Sequence, residues 1–141
     1  LLQRFDRDVV SLNPDSVSIC IGINDVWRQF DSPAMPDVQV SPEEYRSNVE
    51  QMILSVKDNV KGVFLMTPYY MEPKAICREL AEKYGCCFID LQAVFNDYFQ
   101  YRHSSYIAWD RIHPNQIGAT VIARAFLEKC GFDYNHRPEH A

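Results

Sequence analysis

Asp110 and His113 place an acid and an imidazole three residues apart, in Trp109-Asp110-Arg111-Ile112-His113-Pro114. An imidazole serves as a general base when an acceptor fixes its tautomer and orientation. An Asp three residues away on a tight loop can reach the ring without help from another element. Pro114 then suits the first turn of a helix. A polar loop whose Asp merely caps that helix would carry the same letters, so the pattern needs context before it means catalysis. A metal reading is weaker, because further ligands are required and only His103 lies nearby in sequence.

Gly22-Ile23-Asn24-Asp25 is the second stretch with chemical content. It ends an apolar run and so falls at the carboxyl edge of a strand, where open α/β sheets bind ligands. Gly22 allows a backbone path closed to other residues. The Asn24 amide can donate to an oxyanion, a contribution of roughly 3–4 kcal/mol where such a donor has been removed. An ordinary Asn-Asp turn would read the same way. Asp25 is expected to brace the loop through local backbone bonds. Trp27 and Arg28 are candidates for contacting a ligand or a neighbouring subunit. Trp109 is a candidate pocket wall that dries the Asp–His pair, with ordinary core packing as the alternative.

These residues need a scaffold, and the hydrophobic periods supply one. Leu2, Phe5 and Val9 repeat at helical spacing until Asn13-Pro14-Asp15 breaks the run. Residues 17–21 read as a buried strand. Residues 26–40 contain Pro33 and Pro36, show no clean period and read as a long loop. Ser41-Pro42-Glu43-Glu44 is a helix start with the letters of a capping box, and Tyr45, Val49, Met52, Ile53 and Val56 follow on one face up to Lys61-Gly62. Residues 63–66 form the next strand, ended by Thr67-Pro68-Tyr69-Tyr70. A short helix is expected from about Pro73 to Tyr84, stopped by Gly85, then a third strand over 87–89. Leu91, Val94, Phe95, Tyr98 and Phe99 mark another helix. The last runs from about Pro114 to Lys129, with Ile117, Val121, Ile122, Ala125 and Phe126 inward and Gly131 as C-cap. Residues 133–141 read as a polar tail.

Alternating helices and strands predict an α/β fold with a parallel sheet and helices on both faces, a three-layer αβα sandwich. Three strands are legible, whereas a doubly wound sheet usually has about five, so the first strands are expected to lie outside this chain. In a 2-1-3-4-5 order their loss would leave residues 17–21 as an apolar unpaired edge, prone to aggregation or to pairing with another chain. The 141 residues alone are therefore not expected to form a stable monomer, and a homo-oligomer is compatible with that edge.

Composition narrows the class. With 47% hydrophobic and 23% charged residues the chain is that of a globular domain. The net charge of -5 argues against a nucleic-acid surface, and no apolar run approaches the roughly 20 residues that span a bilayer. The five cysteines, odd in number and without C-x-x-C spacing, read as free thiols of a reducing, cytoplasmic compartment. No Gly-rich phosphate loop supports a flavodoxin-like cofactor binder.

Gly22-Ile23-Asn24-Asp25 resembles the third conserved block of the SGNH, or GDSL-type, serine hydrolases, and Asp110-Arg111-Ile112-His113-Pro114 resembles their fifth. The run on to Val26-Trp27-Arg28-Gln29, together with Thr67-Pro68-Tyr69-Tyr70 and Ala108-Trp109-Asp110-Arg111, is similar to the carbohydrate-esterase branch that includes acetylxylan esterases. The resemblance implies a flavodoxin-like sheet and acyl transfer to a serine followed by hydrolysis. It implies His113 as general base, Asp110 as its orienter and Asn24 as an oxyanion donor, with no cofactor and no metal. The substrate implied is a small ester or an acetylated saccharide. A general short-chain carboxylesterase or a lysophospholipase-like member is the alternative within the family; a catalytically incomplete binding module is the alternative outside enzymes. The family's nucleophile sits in an N-terminal Gly-Asp-Ser block, and no Gly-Asp-Ser occurs in this sequence. Residues 1–132 are accordingly expected to be the C-terminal two-thirds of one hydrolase domain, inactive alone. The segment from 70 to 84 is shorter than its family counterpart, a region that often shapes pocket or subunit contacts.

Overall fold

Ser16-Val17-Ser18-Ile19-Cys20 alternates small polar and apolar side chains, and that period of two sorts them to opposite faces of a strand. In the computed structural model, which describes residues 1–35, 39–68, 74–110 and 112–132, this segment is β1 (Ser16–Cys20). Val17 and Ile19 are buried, while Ser16, Ser18 and Cys20 lie on the exposed face. Cys20 was expected within the buried run; the alternation instead sends it outward with the serines. β1 pairs in parallel with β2 (Gly62–Met66), Val17 opposite Val63 and Ile19 opposite Leu65. β2 pairs in parallel with β3 (Cys87–Ile89), giving the order β1-β2-β3. The α/β class and the parallel sheet are as the sequence predicts.

The chain divides into two compact units, Leu1–Gln92 and Ala93–Ala141. In the first, α1 (Leu2–Asp8), α3 (Pro42–Val56) and α4 (Lys74–Tyr84) share one core with the sheet. Val49, Met52, Ile53 and Val56 of α3 are fully buried with Val63, Leu65, Cys77 and Leu80. Each such large aliphatic side chain contributes about 1.5–3 kcal/mol relative to exposure. α3 starts as its letters predict, with the Ser41 hydroxyl accepting from Glu44 N at 3.1 Å and Pro42 in the first turn. It ends at Val56, short of Lys61.

One expectation fails clearly. The loop reading of residues 26–40 fails over 26–31, where α2 (Ile23–Asp31) continues; 32–35 and 39–40 hold no helix or strand, and 36–38 lie outside the described residues. The apolar residues of α2, Ile23, Val26, Trp27 and Phe30, follow the i, i+3, i+4, i+7 rule of an amphipathic helix. A window opened at Val26 and carried through two prolines cuts that period in half. Ser32-Pro33 stops the helix, because the residue before a proline avoids the helical region.

The second unit contains α5 from Ala93 onward (the whole helix is Leu91–Phe99), a 3-10 turn over Ser104–Tyr106, and α6 (Gln116–Lys129). Phe95, Ile107, Ala108 and Ala125 are buried. α6 begins at Gln116 and not at Pro114, because Asn115 is its N-cap and accepts from Ile117 N and Gly118 N. Ile117 was expected inward and is 46% exposed; Gly118 takes the buried position beside it. At the other end Gly131, at φ +81°, closes a Schellman motif: Phe132 N donates to Leu127 O and Gly131 N to Glu128 O. The readings made on Tyr69, Tyr70, Pro73, Arg111 and the tail 133–141 lie outside the described residues.

Candidate active site

The Asp110–His113 pair belongs wholly to the second unit. Asp110 Oδ2 lies 2.6 Å from His113 Nδ1. Its other oxygen, Oδ1, accepts from Ile112 N at 3.0 Å and His113 N at 2.8 Å. A carboxylate can only accept, so the Nδ1 position carries a ring proton, and in the neutral imidazole the lone pair is then on Nε2. The His113 ring first, and then the two backbone N–H groups, hold the Asp110 carboxyl well below the usual carboxylate range. The His113 side chain is 80% exposed and that of Asp110 35%. A base with an open Nε2 and an anchored Nδ1 is the arrangement that general-base catalysis requires.

Asn115 ties this loop at its base. Its side-chain amide donates to Tyr106 O at 2.8 Å and its backbone N to Ile107 O at 2.8 Å, while its Oδ1 caps α6. Gly118 then packs against the same Ile107 carbonyl, which a Cβ at 118 would approach to 2.7 Å. Asn115 was not singled out in the sequence, although an Asn directly before an amphipathic run is an N-cap signal. Trp109 is 83% exposed in this chain.

In the first unit, Gly22 is the N-cap of α2 at φ +114°, the left-handed region that favours glycine. Among the described residues no side chain caps this helix. Asn24 occupies that first turn and is exposed. Asp25 does not brace a loop, since helical bonding has begun there (Val26 N donates to Gly22 O) and the carboxylate has no hydrogen-bond partner among the described residues. It is half-buried beside a cavity of about 460 Å³ lined by residues including Leu2, Glu44, Tyr45 and Asn48. Burial first, then the Glu44 charge, raise its carboxyl above the ordinary value. Trp27 is half-buried, and Arg28 pairs with Asp31 at 2.6 Å while remaining exposed.

Tyr45, unremarked in the sequence except as a core residue, closes the back of this turn. Its hydroxyl donates to Ile21 O at 3.1 Å and lies 3.2 Å from Cys77 Sγ. No local signal reports such a contact, which spans 24 residues. Among the described residues no group of three His, Cys, Asp or Glu side chains could hold a metal ion, and no helix is long and apolar enough to cross a membrane.

With this geometry in view, the chain belongs to the GDSL-like lipase/acylhydrolase family, whose model matches residues 1–121. It is 39% identical over 147 residues to an acetylxylan esterase of Geobacillus stearothermophilus, covering 95% of this chain and 67% of the relative. A solved catalytic histidine-to-alanine mutant of an acetylxylan esterase from the same organism superposes with a TM-score of 0.90 at 38% identity, over 94% of this chain and 67% of that one. An alpha/beta hydrolase enzyme from the metagenome of Lake Arreo, Spain, is 44% identical with a TM-score of 0.88, over 93% and 66%. The chain thus spans about two thirds of the length of the relatives it matches.

Proposed function

We propose that the protein is a serine ester hydrolase that removes short acyl groups, acetyl foremost, from a carbohydrate. The observation that carries this reading is the 2.6 Å Asp110–His113 contact, with Nε2 left open. Support comes from the Geobacillus esterase, whose solved catalytic mutants replace a serine, an aspartate or a histidine by alanine. There the aspartate stands three residues before the histidine, as Asp110 does before His113, and an altered tryptophan stands one before the aspartate, as Trp109 does here. Its serine lies further ahead of its histidine than Leu1 lies ahead of His113. In this reading the nucleophile is a serine outside these residues, among which no Gly-Asp-Ser occurs.

In this mechanism His113 Nε2 takes the serine hydroxyl proton as the oxygen attacks the acyl carbonyl. The Asn24 amide donates to the oxyanion. As the acyl C–O bond breaks, His113 returns the proton to the departing sugar oxygen, and water repeats the sequence on the acyl-enzyme. Asp110 stays ionised and stabilises the imidazolium. The setting proposed is a reducing, cytoplasmic compartment; in the 141 residues alone the β1 edge admits pairing with a second copy.

Hydrolysis of p-nitrophenyl acetate and of acetylated xylo-oligosaccharide by the full-length protein tests this. His113→Ala is expected to lower kcat at least about 10³-fold. The 141 residues alone should not exceed that variant. Undiminished turnover in His113→Ala would remove the assignment, and a preference for long acyl chains would move it to a lipase-like substrate.

A further inference from the structure

Two residues, Ile21 and Gly22, separate the end of β1 at Cys20 from the start of α2 at Ile23. The conformation of those two peptide units sets where the helix begins and therefore where Asn24 stands. Both are held by one side chain. Tyr45, 4% exposed on α3, gives its only hydroxyl proton to the Ile21 carbonyl at 3.1 Å. With that proton committed, the Cys77 thiol 3.2 Å away is the donor to the phenol oxygen, so a Cys77–Tyr45–Ile21 chain runs from α4 through α3 to the strand end. The ring also covers Gly22: a Cβ there would lie 2.6 Å from Tyr45 Cε2 and 3.2 Å from its hydroxyl. Burial first, then Cys77, push the phenol well above its ordinary value, so it remains a donor throughout the neutral range.

We propose that Tyr45 is a positioning residue for acyl transfer: by fixing the Ile21 carbonyl and the Gly22 turn it sets the placement of the Asn24 amide. This rests on the reading of Asn24 as an oxyanion donor. The ring alone would fill the core equally well as phenylalanine, so the hydroxyl is the part that carries the role.

The test is Tyr45→Phe in the full-length protein, alone and combined with Asn24→Ala. Small misplacements of catalytic groups cost up to about 10²-fold. Tyr45→Phe is expected to lower kcat on p-nitrophenyl acetate about tenfold, leaving KM within about twofold because ground-state binding is untouched. In the Asn24→Ala background the same change should have almost no effect, because the group it positions is gone. In ¹⁵N spectra, the Asn24 side-chain amide and the Ile23 backbone amide should shift in Tyr45→Phe and stay in place in Tyr84→Phe, a control whose hydroxyl binds Glu50. Should Tyr45→Phe not fold, Cys77→Ala should lower kcat in the same Asn24-dependent way, and Cys77→Ser, which keeps a donor toward the phenol oxygen, should not. An equal loss in both backgrounds, or unmoved Asn24 resonances, would overturn the positioning role while leaving Asn24 as donor. An Asn24→Ala variant with full kcat would overturn the donor reading, and the positioning role with it, even if Tyr45→Phe still moved the amides.

Discussion

The loop at 107–115 and the turn at 21–24 carry the two halves of the proposed chemistry and are held in opposite ways. The loop is self-contained. Asp110 binds partners two and three residues away, and Asn115 reaches back nine residues at most. The turn depends on Tyr45, which reaches Ile21 across 24 residues and is itself backed by Cys77, 32 residues further on. Local bonds cost little loop closure and can form as soon as α6 does, whereas the turn takes its shape only when α3 and α4 are packed. Damage to the loop should therefore remain local, and damage to the turn should spread through the first unit.

Substitutions can separate the two cases. Gly22→Ala should do the most harm, because it forces a left-handed conformation on alanine and drives Cβ into Tyr45; a loss of about 3 kcal/mol is expected in a denaturant melt. Hydrogen exchange should then quicken across β1 and α3 together. Gly118→Ala, whose Cβ meets the Ile107 backbone carbonyl, should cost about 2 kcal/mol by the same measurement. Asn115→Ala should cost about 1 kcal/mol through the lost cap. Its exchange should quicken only at amides such as Ile117 and Gly118, and acceleration in β1 would contradict the contrast drawn here.

The smallest effect is expected from acid. The Asp110 carboxyl is depressed in the folded protein and ordinary in the unfolded chain, so its contribution is present above the ordinary carboxylate range. It is lost progressively as pH falls from that range down through the lower folded value. The amide resonances of Ile112 and His113 should thus stay put as pH passes through about 4, where an ordinary Asp titrates. A midpoint there would show that the clasp on Asp110 is weak.

The same contrast explains what could be read from the sequence. β3 at Cys87–Ile89, α5 at Leu91–Phe99 and the Ser41 cap follow from neighbouring letters and were legible as written. So was the contact of Asp110 with His113, because three residues of a tight loop can make it. α2 was legible in principle, through Ile23, Val26, Trp27 and Phe30, but a window that included Pro33 and Pro36 concealed it. Pro114 drew attention as a helix start when Asn115 was the cap, since both residues favour that place and only the hydrogen bonds choose between them. Tyr45 was out of reach for a different reason: its role arises from the pairing of β1 with β2 and the packing of α3 on them, which no local pattern encodes.

That Asn24 stands on a helix and not on a loop has one more consequence. Trp27 and Arg28 follow it at i+3 and i+4, so the three share a face with a spacing fixed by the helix, about 5–6 Å between neighbouring Cβ atoms. Asn24 and the Arg28–Asp31 pair therefore stand about one turn apart along α2, a spacing set by the helix. That spacing holds as long as α2 stays helical, whereas a loop would leave it free to vary.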